Sequence, residues 1–294
     1  MQIDKALKAK KMPVSSFIKD ARDAFFKNKA MSIGFIILFL IIIMAIIGPY
    51  LNSYTYFDTH LELKNLSPST KFWFGTDELG RDVFTRIWYG ARISLSIGIA
   101  AAVIDIIIGM IYGAIAALFG KYVDEIMMRV ADIIATIPYL LAVILLIVFM
   151  SPGILTILIA LTITGWINMA RIVRAQILSL KKMPFVEAAI VMGASNFRII
   201  FKHLLPNCMG SIITTMTISI PLAIFTEAFL SFLGLGIQAP ISSWGVMVND
   251  GLYALRYYPW RLFFPAFMIC LTMLAFNLLA DGIRDIFDPK MAKK

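Results

Sequence analysis

Two carboxylates lie inside runs of apolar residues, Glu227 in 210–232 and Asp105 in 92–119. An ionisable group at mid-membrane costs roughly 2.5–3.5 kcal/mol on insertion scales, so such a group faces a cavity or a partner. Ser211, Thr215, Ser219, Ala223, Glu227 and Ser231 recur every four residues and form a small, polar stripe that spirals about the helix. Two readings stand. In one, Ser219, Ala223, Glu227 and Ser231 line a transport pathway with Glu227 near its outer mouth. In the other, small residues pack helix against helix and Glu227 is hydrogen-bonded within that packing. Asp105 shares a face with Ala101, Gly109, Gly113 and Ala117. Gly109-x-x-x-Gly113 is a close-packing pattern and favours a structural role for Asp105.

Charged residues outside these runs point to structure. Asp77, Arg81 and Asp82 form a cluster before the second apolar run, expected to act as a clamp at the outer interface rather than as a docking site. Asp281 and Arg284, three apart at the end of the last run, are expected to form an ion pair. Gly120-Lys121 fails the phosphate-binding loop pattern, because Ile115 stands where that pattern needs glycine and Tyr122 where it needs Ser or Thr. The sequence contains no His-Glu-x-x-His and no Gly-x-Ser-x-Gly, so the chain reads as non-catalytic. Cys208 and Cys270 are unspaced, His60 and His203 are far apart, and no metal set is expected.

The solvent that must position these residues is lipid. Of the 294 residues 60% are hydrophobic and 15% charged, and mean hydropathy is +0.84. A soluble core cannot absorb that excess. Six spans follow, at 32–51, 92–119, 131–150, 153–169, 210–232 and 262–280, in an all-α membrane protein. The net charge of +9 reads as topology and not as nucleic-acid binding. With the N-terminus inside, 20 of the 27 lysines and arginines fall on the cytoplasmic side, which gives N-in, C-in. Residues 1–31 are then a basic cytoplasmic tail, 52–91 an external segment, 92–285 the core with an inner segment at 170–209, and 286–294 a cytoplasmic tail.

The inner segment has helical order. Pro184 suits a first helical turn, and Glu187-Ala188-Ala189 follow with the acid at the favourable end of the dipole. Gly193 supplies a turn and Ser195 caps a second helix. In it Phe197, Ile200, Phe201, Leu204 and Leu205 make one apolar stripe that Pro206 ends. On periodicity alone this is a pair of short helices with a glycine elbow, equally readable as an amphipathic hairpin on the lipid headgroups.

The order Glu187-Ala188-Ala189, Gly193-Ala194, then His203-Leu204-Leu205-Pro206 resembles the EAA motif of ABC importer permeases. The His-x-Leu-Pro-Asn ending is similar to the oligopeptide and dipeptide branch, although the general motif has an apolar residue at His203. The run from Gly75 to Val83 with Gly90-Ala91-Arg92, and the run from Leu230 to Gly236 with Trp244-Gly245, resemble the C-type permease of that branch. The likeness covers about residues 24–288. It implies a type I, MetI-like permease fold in a bacterial cell membrane. It also implies a coupling role for Glu187, Ala188, Ala189, Gly193, Ala194, His203, Leu205 and Pro206. The implied partners are a second permease subunit, two ATPase subunits that hold ATP and Mg, and an external substrate-binding lipoprotein. A peptide is the implied cargo, with nickel or glutathione as alternatives from the same branch. Outside that class, a stand-alone secondary transporter or channel remains open.

Overall fold

The computed structural model describes residues 28–287, so most of the N-terminal tail and the last seven residues lie outside it. Nine helices carry the described chain: α1 (Lys29–Ile47), α2 (Val83–Leu118), α3 (Lys121–Ala135), α4 (Tyr139–Met150), α5 (Ile154–Leu180), α6 (Pro184–Val191), α7 (Asn196–Phe232), α8 (Trp244–Leu252) and α9 (Trp260–Phe287). Among the described residues there is no strand, only one isolated bridge between Thr76 and Asp82.

Five helices, α1, α2, α5, α7 and α9, are long and apolar enough to cross a membrane. The sixth expected span, 131–150, is not one helix. It is the end of α3 and all of α4, bent by 79° at the break between them. Pro138 explains the break, because its ring disfavours helical backbone in the residue before it. At 12 residues α4 is about 18 Å long and too short to span alone. Counted as one bent crossing, the pair completes six spans, an even number that puts Lys29 and Phe287 on the same side.

Several other boundaries shift outward. Helix α2 begins at Val83, nine residues before the expected span, because Asp82 accepts from the Thr85 amide at 2.8 Å and caps it there. Helix α5 runs on to Leu180, so the first part of the inner segment continues a span. Helix α7 is continuous from Asn196 through Phe232, and Pro206 does not end it. Residues Ile199–Leu204 form a π-turn, with the Leu205 amide donating to the Ile200 carbonyl. The wider turn makes room before Pro206, whose ring would otherwise press on the carbonyl four residues back.

The core is held by α2. It packs along α5, and with α1, α7, α8 and α9 it encloses a cluster around Val83, Ile87, Ala91, Ile224 and Trp244. A second cluster near the cytoplasmic ends joins Ala114 and Ala117 of α2, Val173 and Ile177 of α5, Val186 of α6, and Ile200, Leu204 and Leu205 of α7. This second cluster ties the inner segment to the spans.

Candidate functional site

The inner segment starts where Pro184 occupies the first turn of α6, with Glu187 in the same turn. Val186 and Ala189 are buried beneath α6, while Glu187 and Ala188 face out. Gly193 turns the chain with φ +78°, the left-handed region that a side chain resists. The Ala194 amide donates to the Ala189 carbonyl at 3.0 Å, and Ser195 Oγ accepts from the Arg198 amide at 3.3 Å to start α7. The elbow carries the most exposed apolar residues of the segment, Val191 at 88% and Met192 at 80%. The expected stripe on α7 divides: Ile200, Leu204 and Leu205 are buried, whereas Phe197 and Phe201 pack tilted against each other in the open, ring centres 4.5 Å apart. His203 is half-buried, and its carbonyl accepts from the Asn207 side chain at 2.5 Å.

Helix α3 is fixed beside the segment by two ion pairs to α5, Arg174 to Asp124 and Arg171 to Asp132 at 2.7 Å. Helix α6 and the start of α7 thus present apolar residues that project from a packed base.

On the opposite side the charged cluster is a clamp, as expected. Asp77 is buried and accepts from Arg81 Nε at 2.7 Å and from Arg86. Arg86 also donates to Ser242 Oγ at 3.2 Å and lies 3.6 Å from Asp250 on α8. Arg261 joins Glu78 to Asn65 and to the Asp250 carbonyl. Burial raises the Asp77 pKa, yet the facing charges of Arg86 and Arg81 outweigh it and hold the carboxyl below the usual range. For Asp250 burial prevails, and its pKa is raised despite the same two arginines. The clamp binds the external segment to the outer ends of α2, α8 and α9.

The four pathway candidates separate. Glu227 is wholly enclosed and Ser231 is 3% exposed. Ser94 of α2 donates to Glu227 at 3.0 Å and Ser231 donates to it at 2.8 Å. Both side chains are thus enclosed by their own chain, which fits the packing reading of these two. Ala223 packs beside Ile97 and Ala101. Ser219 is different: with Asn168, Ile172, Thr215, Leu222 and Arg284 it lines an open cavity of about 480 Å³ of mixed polar and apolar character between α5, α7 and the end of α9.

Asp105 faces protein, against Gly165 of α5, but its Oδ1 has no hydrogen-bond partner among the described residues. A β-carbon on Gly109 would sit 2.6 Å from the Trp166 carbonyl, and one on Gly113 would overlap that of Ala170, so the glycine pattern is a close-packed contact between α2 and α5. The expected pair of Asp281 with Arg284 does not form. Both side chains are exposed, and Arg284 lines the cavity beside α7. Sequence reasoning missed Ser94, which nothing local distinguishes from a packing serine.

Residues 105–293 match the family described as "Binding-protein-dependent transport system inner membrane component". The chain belongs to that family. Residues 16–68 match the N-terminal TM domain of oligopeptide transport permease C. The chain is 57% identical to the oligopeptide transport system permease protein OppC of Bacillus subtilis, over 95% of this chain and 91% of that one. It is 56% identical to the dipeptide transport system permease protein DppC of the same organism, over 96% and 89%. A solved structure of the MetNI methionine ABC transporter in an inward-facing conformation matches with a TM-score of 0.55 at 18% identity, covering 68% of this chain and 95% of that one. The fold is therefore the MetI-like permease fold, and the protein is a multi-pass component of the cytoplasmic membrane.

Proposed function

We propose that this chain is one of two permease subunits of an ATP-driven importer of peptides, and that α6 and the start of α7 dock on a cytoplasmic ATPase subunit. The observation that carries the docking role is the elbow at Gly193. It projects Val191 and Met192 at 88% and 80% exposure from a base whose Val186 and Ala189 are buried. Exposed apolar residues on a rigid base are what a partner's groove covers. Relatives that transport oligopeptides and dipeptides, more than half identical over nearly the whole chain, support the cargo class.

In this reading ATP and Mg reside on the ATPase subunits, and a substrate-binding lipoprotein delivers the peptide from outside. Closure of the ATPase pair moves the docked segment. The second apolar cluster passes that motion to α2 and α5, because Val186, Ile200 and Leu204 share it with Ala114 and Val173. The spans then tilt to open the path outward.

The test is co-expression with a candidate partner permease and ATPases from the same organism, purification as one complex, and reconstitution in proteoliposomes with the binding protein. Uptake of a labelled tripeptide that requires ATP is expected. Uptake by this chain alone under an ion gradient, without ATPase partners, would overturn the proposal in favour of a secondary transporter.

A further inference from the structure

Two buried polar atoms near the bend at Pro138 have no hydrogen-bond partner among the described residues. They are Oδ1 of Asp105 on α2 and the hydroxyl of Tyr139, the first residue of α4. An unpaired polar group buried in hydrocarbon is costly, and a carboxylate most of all. The two stand close. The Asp105 carboxylate lies where a side chain on Gly165 of α5 would be. Helices α4 and α5 form an antiparallel hairpin, and in it Val143 shares a buried cluster with Ala160. Four residues back along α4 is Tyr139, and four residues on along α5 is Thr164, next to Gly165, each step covering about 6 Å. Tyr139 therefore comes level with Asp105, near enough for its hydroxyl to feel the charge.

The helix that carries Tyr139 is loosely held. The Ile137 amide closes α3 on the Ile134 carbonyl at 3.2 Å, and the Leu141 amide opens α4 on the Pro138 carbonyl at 3.0 Å. Pro138 has no N–H to tie the two helices together. Val143 is the one buried residue of α4, whereas Leu141, Leu145, Val148 and Phe149 are exposed. A helix with so little buried apolar surface moves at low cost. Asp105, by contrast, is fixed, because Ala101 and Gly109 on the same face are packed against α5.

We propose that Pro138 is a hinge, and that in a second state of the transport cycle α4 swings until the Tyr139 hydroxyl donates to the Asp105 carboxylate. The bond is absent from the state described here, so it stabilises the other state alone. Two polar groups stranded in one state are paired in the next. A hydroxyl-to-carboxylate bond is of the strong, charge-assisted kind, and a low-dielectric interior strengthens it. The inference rests on the importer reading, which supplies the two states, and adds the residues that hold one of them.

The complete reconstituted complex tests it, compared nucleotide-free and trapped with ATP and vanadate. Tyr139→Phe keeps the ring and removes only the hydroxyl. It should lower the unfolding temperature in one of these states and leave it unchanged in the other. The ATP concentration for half-maximal trapping should move about tenfold, the scale of one hydrogen bond to a charged group. In an Asp105→Ala background, Tyr139→Phe should no longer distinguish the states. Tyr112→Phe is the contrast: its hydroxyl already donates to the Met127 carbonyl at 2.7 Å, so both states should lose stability together. Equal loss in both states for Tyr139→Phe would overturn the proposal and mark a permanent bond or a bridging water. So would no loss in either, or the same state dependence with Asp105 removed. An unaltered complex that traps no nucleotide would overturn the importer reading itself, and the proposal with it.

Discussion

The Ser94 hydroxyl donates to the Glu227 carboxylate at 3.0 Å while accepting the backbone amide of Trp244 at 3.3 Å, so one small side chain on α2 joins α7 to α8. Trp244, wholly buried, donates its indole N–H back to the Ile87 carbonyl of α2 at 3.0 Å. Ser231 and Ser243 add hydroxyls to Glu227. Glu227→Gln keeps an oxygen that can accept, and its amide can donate to a serine that rotates, so a small loss of stability is expected. Glu227→Leu strands the hydroxyls and should cost about 1–3 kcal/mol for each that finds no other partner. Thermal unfolding of the purified complex should rank the wild type first, Gln next and Leu last. Equal unfolding temperatures for all three would show that the node is not structural.

The outer clamp predicts an unusual tolerance of acid. Asp77 has a depressed pKa, so its stabilisation is present above the unfolded value near 3.9 and is lost only as pH falls through the lower folded value. Asp250 has a raised pKa, so its ionised form is penalised in the fold, and that penalty lifts as pH falls. Protection of amides in the external segment, taken relative to the intrinsic exchange rate at each pH, should therefore hold from pH 7 to about 5 and fall only below about 4. Asp77→Asn leaves Arg81 and Arg86 without their shared counter-charge and should cost about 3–5 kcal/mol, with exchange already fast at pH 7. An Asn variant as protected as the wild type would remove Asp77 from the clamp.

The α2–α5 contact predicts a sharp size limit. The β-carbon of Gly113→Ala would overlap the Ala170 carbonyl, a backbone group that cannot swing aside. Overpacking of this kind costs roughly 1–3 kcal/mol. Gly153→Ala, where a β-carbon meets nothing within 4 Å, should leave the unfolding temperature unchanged. Indistinguishable behaviour of the two variants would mean that α2 and α5 are not in close contact in the assembled protein.

The parts of the fold that could be read from sequence are those governed by local rules. Pro184, Gly193 and Ser195 each restrict their own backbone, and each stands where its restriction implies. Gly109 and Gly113 follow a helical repeat, and the contact they imply is present. Rules of that kind do not reach far along the chain. The bend at Pro138 is hidden because 131–150 is apolar on both sides of it. The early start of α2 is hidden because 83–91 packs against the external segment and not against lipid, so a search for lipid-facing runs passes over it. Glu227 was open to two readings because Ser94, its partner, is 133 residues away. Arg284 stands one helical turn from Asp281, which is why a local rule pairs them, and only the arrangement of three helices places it beside a cavity instead.

Gly193 provides the most direct test of the cytoplasmic docking surface. Its φ of +78° costs an ordinary residue roughly 1–2 kcal/mol, while asparagine enters that region more readily. No atom lies within 4 Å of where its β-carbon would be, so space is not the constraint and backbone conformation is. Gly193→Val should keep the spans inserted, since Val186 and Ile200 pack on either side of the elbow, but it should displace Val191 and Met192. Peptide uptake should then fall while ATP hydrolysis continues without stimulation by the binding protein. Gly193→Asn should recover most of the coupling, because the backbone can keep its path. If valine and asparagine impair transport equally, the left-handed turn is not what the ATPase partner reads. If neither impairs it, the elbow is a surface hairpin with no part in coupling.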